Sequence, residues 1–203
     1  MVYYNYKIVG KRKVSGMKRA ITELRSELLL LMVFTTGGIF GFIYELLFYR
    51  IDLGHFVKRG ITFGPWIPIY GFGAVLVVLT TSRMKASPLR VFTISALGCG
   101  GLELAAGFLL KHLMGLRLWD YNVEIWNWGN IGGYICARSV LFFGASALLL
   151  QYVIYPFLER LSKRCSEKGL IIVAVVPGAL FVLDILMSLL YAAMRQGMLP
   201  RLR

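Results

Sequence analysis

Residues Leu28 to Phe48 read LLLLMVFTTGGIFGFIYELLF, and Glu45 is the only charge among them. A helix needs about 20 apolar residues to cross roughly 30 Å of hydrocarbon, so this stretch can span a bilayer by itself. Upstream, Lys11, Arg12, Lys13, Lys18 and Arg19 precede the run as they would in a secretory leader. The run is too long for a leader and lacks a small-residue cleavage site, which predicts a first span that is retained.

Working outward, similar stretches recur. Ile61 to Ser82 is uncharged and opens with Gly64-Pro65-Trp66-Ile67-Pro68. A proline pair belongs in a helix's first turn or in an irregular lead-in, so the second span is predicted to start near Pro68. A third runs from Leu89 to Leu113 with Glu103 inside it, and a fourth from Gly133 to Phe157 with Arg138 near its start. A fifth, Gly169 to Met194, holds Asp184 and a Pro177-Gly178 pair expected to bend it. The linker from Arg117 to Gly132 carries Trp119, Tyr121, Trp126 and Trp128, residues suited to the membrane surface.

The 203 residues are 58% hydrophobic, with a mean hydropathy of +0.68. That excludes an ordinary soluble domain and predicts an all-α, polytopic membrane bundle of about five transmembrane helices. Residues 1–27 read as a basic cytoplasmic arm and 28–157 as a four-span core. Residues 158–203 read as a cytoplasmic loop, the fifth span and a short outer tail.

The net charge of +13 lies between the spans, which fits anionic lipid headgroups as partners and not nucleic acid. Outside the spans, fourteen Lys and Arg fall in the N-terminal arm, at Arg83, Lys85 and Arg90, and at Arg160, Lys163, Arg164 and Lys168, against eight on the other side. The positive-inside rule then places the N-terminus in the cytoplasm of a plasma-membrane protein and the C-terminus outside.

Glu45 is followed fourteen residues later by Arg59, and Glu103 fourteen residues later by Arg117, with His55 and His112 in between. Two hairpins with matched charges predict a parallel repeat, related by an axis along the membrane normal, plus a fifth helix. Counting 1.5 Å per residue puts Glu45, Glu103 and Asp184 in the outer half of the bundle, and Arg138 at their level. Charges inside spans face protein or water and find partners. They are therefore read as the walls of a polar site, although an interhelical ion-pair network that fixes helix register accounts for them too.

Arg59 and Arg117 suit an anionic group or lipid headgroups, and Asp120 has a structural partner in Arg117. The candidate substrate-binding set is Glu45, Arg59, Glu103, Arg117, Asp120, Arg138 and Asp184. The histidines lack metal-ligand spacing, and Cys99, Cys136 and Cys165 form no framework, so no metal or cofactor is expected.

The series Tyr44-Glu45, Arg59-Gly60, Gly64-Pro65, Pro68-Ile69-Tyr70-Gly71-Phe72-Gly73, Glu103, Trp119-Asp120-Tyr121 and Ile135-Cys136 resembles the ABC-transporter type IV permeases, CmpB-like membrane proteins. The resemblance covers roughly Gly38 to Phe157. It implies a permease-like function and a place in a transporter. The family pattern carries an arginine before the fourth span where this chain has Gly132-Gly133-Tyr134-Ile135, and Arg138, one helical turn on, is the candidate replacement.

No Walker motif is present, so an ATP-driven role needs a separate ATPase subunit. Five spans are few for a solitary pathway, which suits a homodimer. Three function classes fit the residues. One is a transporter or transporter-associated subunit with a polar site in its outer half. The others are an intramembrane enzyme acting on a lipid or lipid-linked substrate at the outer leaflet, and a non-catalytic membrane scaffold.

Overall fold

The computed structural model describes residues 2–60, 62–82 and 87–195; for residues 2–20, 193 and 195 it gives the helical course alone. Among the described residues the chain forms five helices: α1 (Val2–Leu53), α2 (Pro68–Thr81), α3 (Pro88–Met114), α4 (Ala137–Arg164) and α5 (Glu167–Arg195). No strand occurs among the described residues beyond one isolated bridge between Ile131 and Ile135. Four helices, α1 from Ile21 onward, α3, α4 and α5, are long and apolar enough to cross a membrane. The second expected span is shorter, since the 14 residues of α2 reach only roughly 21 Å. The tail beyond Arg195 and the residues Arg83 and Lys85 lie outside the described residues.

Local chemistry sets the helix ends. Pro68 and Pro88 open α2 and α3 at positions where a missing N–H costs nothing. In α4 the fourth span does not stop at Phe157 but continues to Arg164, leaving only Cys165 and Ser166 before α5. Pro156 would ordinarily break such a helix, because it lacks an N–H and crowds the preceding turn. A π turn at Leu150–Ile154 widens the backbone just before it and lets the helix pass. Pro177 likewise sits inside α5 without ending it.

α1 packs on α2, on α5 and on the C-terminal end of α4, while α3 packs on α4 and α2. Leu28, Val33, Val77, Val91, Ala147 and Leu170 belong to one buried apolar cluster joining these helices. α1 and α2 approach closely because Gly37 has no side chain. A Cβ there would stand 2.6 Å from the Ala74 Cβ and 2.9 Å from the Tyr70 carbonyl oxygen. Small residues serve helix contact in membranes in this way, where apolar burial gives no separate driving force. At the end of the bundle where α4 closes, Arg25 donates to the Ser162 carbonyl at 2.6 Å and reaches that of Cys165 at 3.4 Å, so a cation caps the last turn of α4.

The other end is built differently. α1 continues fifteen residues past Gly38 to Leu53, roughly 22 Å of helix, yet the Ile67 N–H just before α2 bonds the Gly38 carbonyl at 3.0 Å. The segment from Gly54 to Ile67 therefore folds back down into the bundle. Non-helical backbone at that depth is tolerated only when buried in protein or lining a cavity, and Asp184 on α5 supplies its partners. The carboxylate accepts the N–H groups of Phe63 at 2.9 Å and Gly64 at 2.7 Å, and the Trp66 indole at 2.6 Å. Trp66 also stacks on Phe181 with ring centroids 4.9 Å apart.

The loop from Gly115 to Cys136 closes the same end. It is held by Tyr121 N–H to Gly133 O at 3.0 Å and Ala137 N–H to Trp128 O at 3.0 Å. Ile125 N–H to the Asp52 carboxylate at 3.1 Å ties it to the last turn of α1. Tyr121 and Glu124 point inward and are buried, whereas Val123, Trp126 and Trp128 stay exposed.

Candidate functional site

A cavity of about 270 Å³ opens where these two loops meet the helices, lined by Glu45 and Tyr49 of α1, Arg59 of the first loop and Tyr70 of α2. Glu103 of α3, Tyr121 and Glu124 of the second loop, and Arg138 of α4 complete its polar lining. The first turn of α2 reaches it because the preceding loop folds back. The second loop reaches it because Asp52 pins Ile125.

The polar groups form two linked chains. Arg59 Nε lies 3.4 Å from the Glu45 carboxylate, while its Nη2 donates to the Tyr49 hydroxyl at 2.9 Å. The Tyr49 hydroxyl in turn donates to Glu124, whose second oxygen receives Arg138 Nη2 at 2.6 Å. The guanidinium of Arg138 also lies over the Phe48 ring, 4.0 Å from its centroid. The Arg138 and Glu124 side chains are 13% and 5% exposed, against 26% and 18% for Arg59 and Glu45. The pair nearer the second loop is thus the drier one.

Glu103 heads the second chain. It is 5% exposed and accepts the Tyr121 hydroxyl at 2.6 Å and the Ser139 hydroxyl at 2.9 Å. Burial and the neighbouring Glu103 carboxyl push the Tyr121 phenol well above its ordinary pKa, so it remains a donor. Ser139 sits in the first turn of α4, and that turn aims Arg138 at the cavity and Ser139 at Glu103.

Of the seven residues expected from the sequence, Glu45, Arg59, Glu103 and Arg138 come together on this cavity. The fourteen-residue spacing has different outcomes in the two halves. Arg59 meets Glu45, whereas Arg117 bonds Asp120 at 2.7 Å and the Gly132 carbonyl at 3.0 Å, within its own loop. Asp120 also accepts from Asn122, and neither it nor Arg117 lines the cavity. Gly133, at φ +79°, packs where a side chain would strike Arg117, Asp120 and Asn122. Asp184 is engaged in holding the first loop.

Sequence reasoning passed over Glu124, Tyr49, Tyr121 and Ser139 as ligands of the charged network. Glu124 was visible only as a loop acid following Trp119-Asp120-Tyr121. Its burial depends on a loop fold that composition does not encode.

Below the main cavity lies a smaller one of about 60 Å³, and Tyr70 lines both. Its walls include Gly37, Gly73, Ala74, Cys99 and Ala147. Deeper still, Gln151 donates from the π turn to Thr81 at 2.7 Å. No group of three or more potential metal ligands occurs among the described residues.

A family model whose description is "Putative ABC-transporter type IV" matches residues 32–189, a stretch that contains every residue lining the main cavity. No curated protein and no solved structure matches the chain.

Proposed function

The chain belongs to the ABC-transporter type IV family, and from that premise we propose that it is a permease-like transporter subunit whose solute site is the main cavity. Glu45, Arg59, Glu103, Glu124 and Arg138 are the polar groups of that site. The protein resides in the plasma membrane with its N-terminus in the cytoplasm, so the cavity faces outward. A separate ATPase subunit supplies the energy, docking at the basic inner end around Arg160, Lys163, Arg164 and Lys168.

The observation that carries this reading is the pair of cavities sharing Tyr70. A solute site needs a way onward to the opposite side, and alternating access places such sites within the bundle beside discontinuous helices. Here the short helix α2 begins deep in the bundle at the main cavity's wall. The smaller cavity continues past Tyr70, with Gly37, Gly73, Ala74 and Ala147 on its walls beside the bulkier Phe40, Phe143, Leu150 and Ile154. Burying ionisable groups at this depth costs about 2.5 kcal/mol or more each on insertion scales, a cost consistent with use in solute recognition.

An uptake screen in proteoliposomes tests the reading, with the ATPase partner co-reconstituted if it co-purifies. A solute taken up by the wild type is expected to lose at least about tenfold in rate with Glu45→Gln and with Glu103→Gln, a change of ~1.4 kcal/mol. Undiminished uptake in both variants places the site elsewhere.

A further inference from the structure

The cargo's chemical class can be read from the charge balance of the same cavity, so this inference rests on the transport reading. The lining contains three carboxyl groups, Glu45, Glu103 and Glu124, and two guanidinium groups, Arg59 and Arg138. Each arginine is matched to one carboxylate, Arg59 to Glu45 and Arg138 to Glu124. Glu103 is not paired with any cation among the described residues. Its partners are the neutral hydroxyls of Tyr121 and Ser139. Ser139 has a single proton to donate and is equally close to the Cys136 carbonyl, at 2.9 Å.

The space in front of Glu103 is walled by rings: Tyr44, Phe48, Tyr49, Tyr70, Phe72 and Trp119 all line the cavity. Aromatic faces attract a cation and give no purchase to an anion. An anion also finds few donors. Arg59 is taken by Glu45 and the Tyr49 hydroxyl, and its guanidinium lies 3.8 Å from the Tyr49 ring centroid. Nε and Nη1 of Arg138 have no partner but are closed to solvent. The first turn of α2 offers little, because Pro68 has no N–H and the N–H groups of Ile67 and Tyr70 bond Gly38 O and Ile67 O.

We propose that the cavity binds an organic monocation, a substituted ammonium with an apolar body, whose charge is countered by Glu103 and whose body lies among the rings. Such a ligand brings the local charge to zero, which the cost of an uncompensated ion inside a membrane favours. It also fills a space whose walls are mostly carbon.

Three probes sharing a benzyl group test this with the full chain in lipid nanodiscs: benzyltrimethylammonium, its neutral carbon isostere neopentylbenzene, and benzylphosphonate. Binding is corrected for partition into empty discs. The cation is expected to bind at least about tenfold tighter than either comparator. Glu103→Gln is expected to lower cation affinity by at least about tenfold while leaving neopentylbenzene within about twofold. Equal or tighter binding of the neutral or anionic probe overturns the proposal, as does full cation affinity in Glu103→Gln. If that variant fails to fold, the comparison of probes on the wild type decides. Cation binding without uptake of any solute sinks the transport reading and leaves this inference standing. Uptake without cation binding does the reverse.

Discussion

Glu124 and Arg138 meet at 2.6 Å with almost no exposure, and a buried pair of this kind is asymmetric in its energetics. Keeping both charges roughly offsets their desolvation, but losing one leaves the other stranded at a cost of about 3–5 kcal/mol. Glu124→Gln and Arg138→Met should therefore each lower stability by about that much, measured by thermal unfolding in detergent. The double change Glu124→Gln with Arg138→Met should cost clearly less than the sum of the two single changes. Additive losses would mean that the pair is not energetically coupled. Of these two residues only Arg138 was legible in the sequence, because a charge inside an apolar run announces itself. Glu124 sits in a loop beside the exposed Val123 and looks like any solvated acid. For Arg117 the local chain wins: Asp120, three residues on, captures it before it can reach Glu103.

The loop between α1 and α2 shows what one carboxylate can do for an element without regular structure. Asp184 accepts two backbone N–H groups and an indole N–H, bonds to an ionised acceptor that are each worth about 1.5–3 kcal/mol. Asp184→Ala should free the lead-in while leaving the helices intact. Amide hydrogen exchange at Phe63 and Gly64 should accelerate at least about tenfold with helical content unchanged. Unchanged exchange would show that Trp66 on Phe181 holds the loop alone. At this scale the start of α2 was readable, since Pro68 both begins a helix and forbids an earlier one. The end of α4 was not, because the accommodation of Pro156 depends on a π turn without a composition signal. The depth at which α2 starts depends on the tertiary bond from Ile67 to Gly38 and was likewise hidden.

For the whole molecule, hydropathy alone revealed a helical membrane bundle, because continuous apolar runs of about 20 residues suit spanning helices, whereas barrel strands alternate. Glu45, Glu103 and Arg138, which the sequence puts at one depth, line one cavity, whereas Asp184, put at the same depth, holds the first loop. The pairing of the charges was not legible, since depth says nothing about rotation around a helix axis. Orientation is open to direct measurement. Cys165, partly exposed in the turn between α4 and α5, is the one cysteine of the three that is not buried. A membrane-impermeant maleimide should label it only after cells are permeabilised, while Val123→Cys should label on intact cells. The opposite pattern would invert the topology and turn the cavity toward the cytoplasm.

The π turn at Leu150–Ile154 bears on inheritance as well as on geometry. It holds one residue more than an α turn would, and a single residue rotates a helix by about 100°. Because the wide turn takes up that residue within itself, Arg138 and Ser139, about 18 Å away along α4, keep the facing toward Glu124 and Glu103 that an unbroken helix would give them. Loss of one codon within the turn restores α geometry and leaves both side chains in place, whereas loss of one between Val140 and Leu149 would turn them about 100° away from their partners. The reading frame of the bundle, and not only its list of ligands, is therefore something selection must preserve.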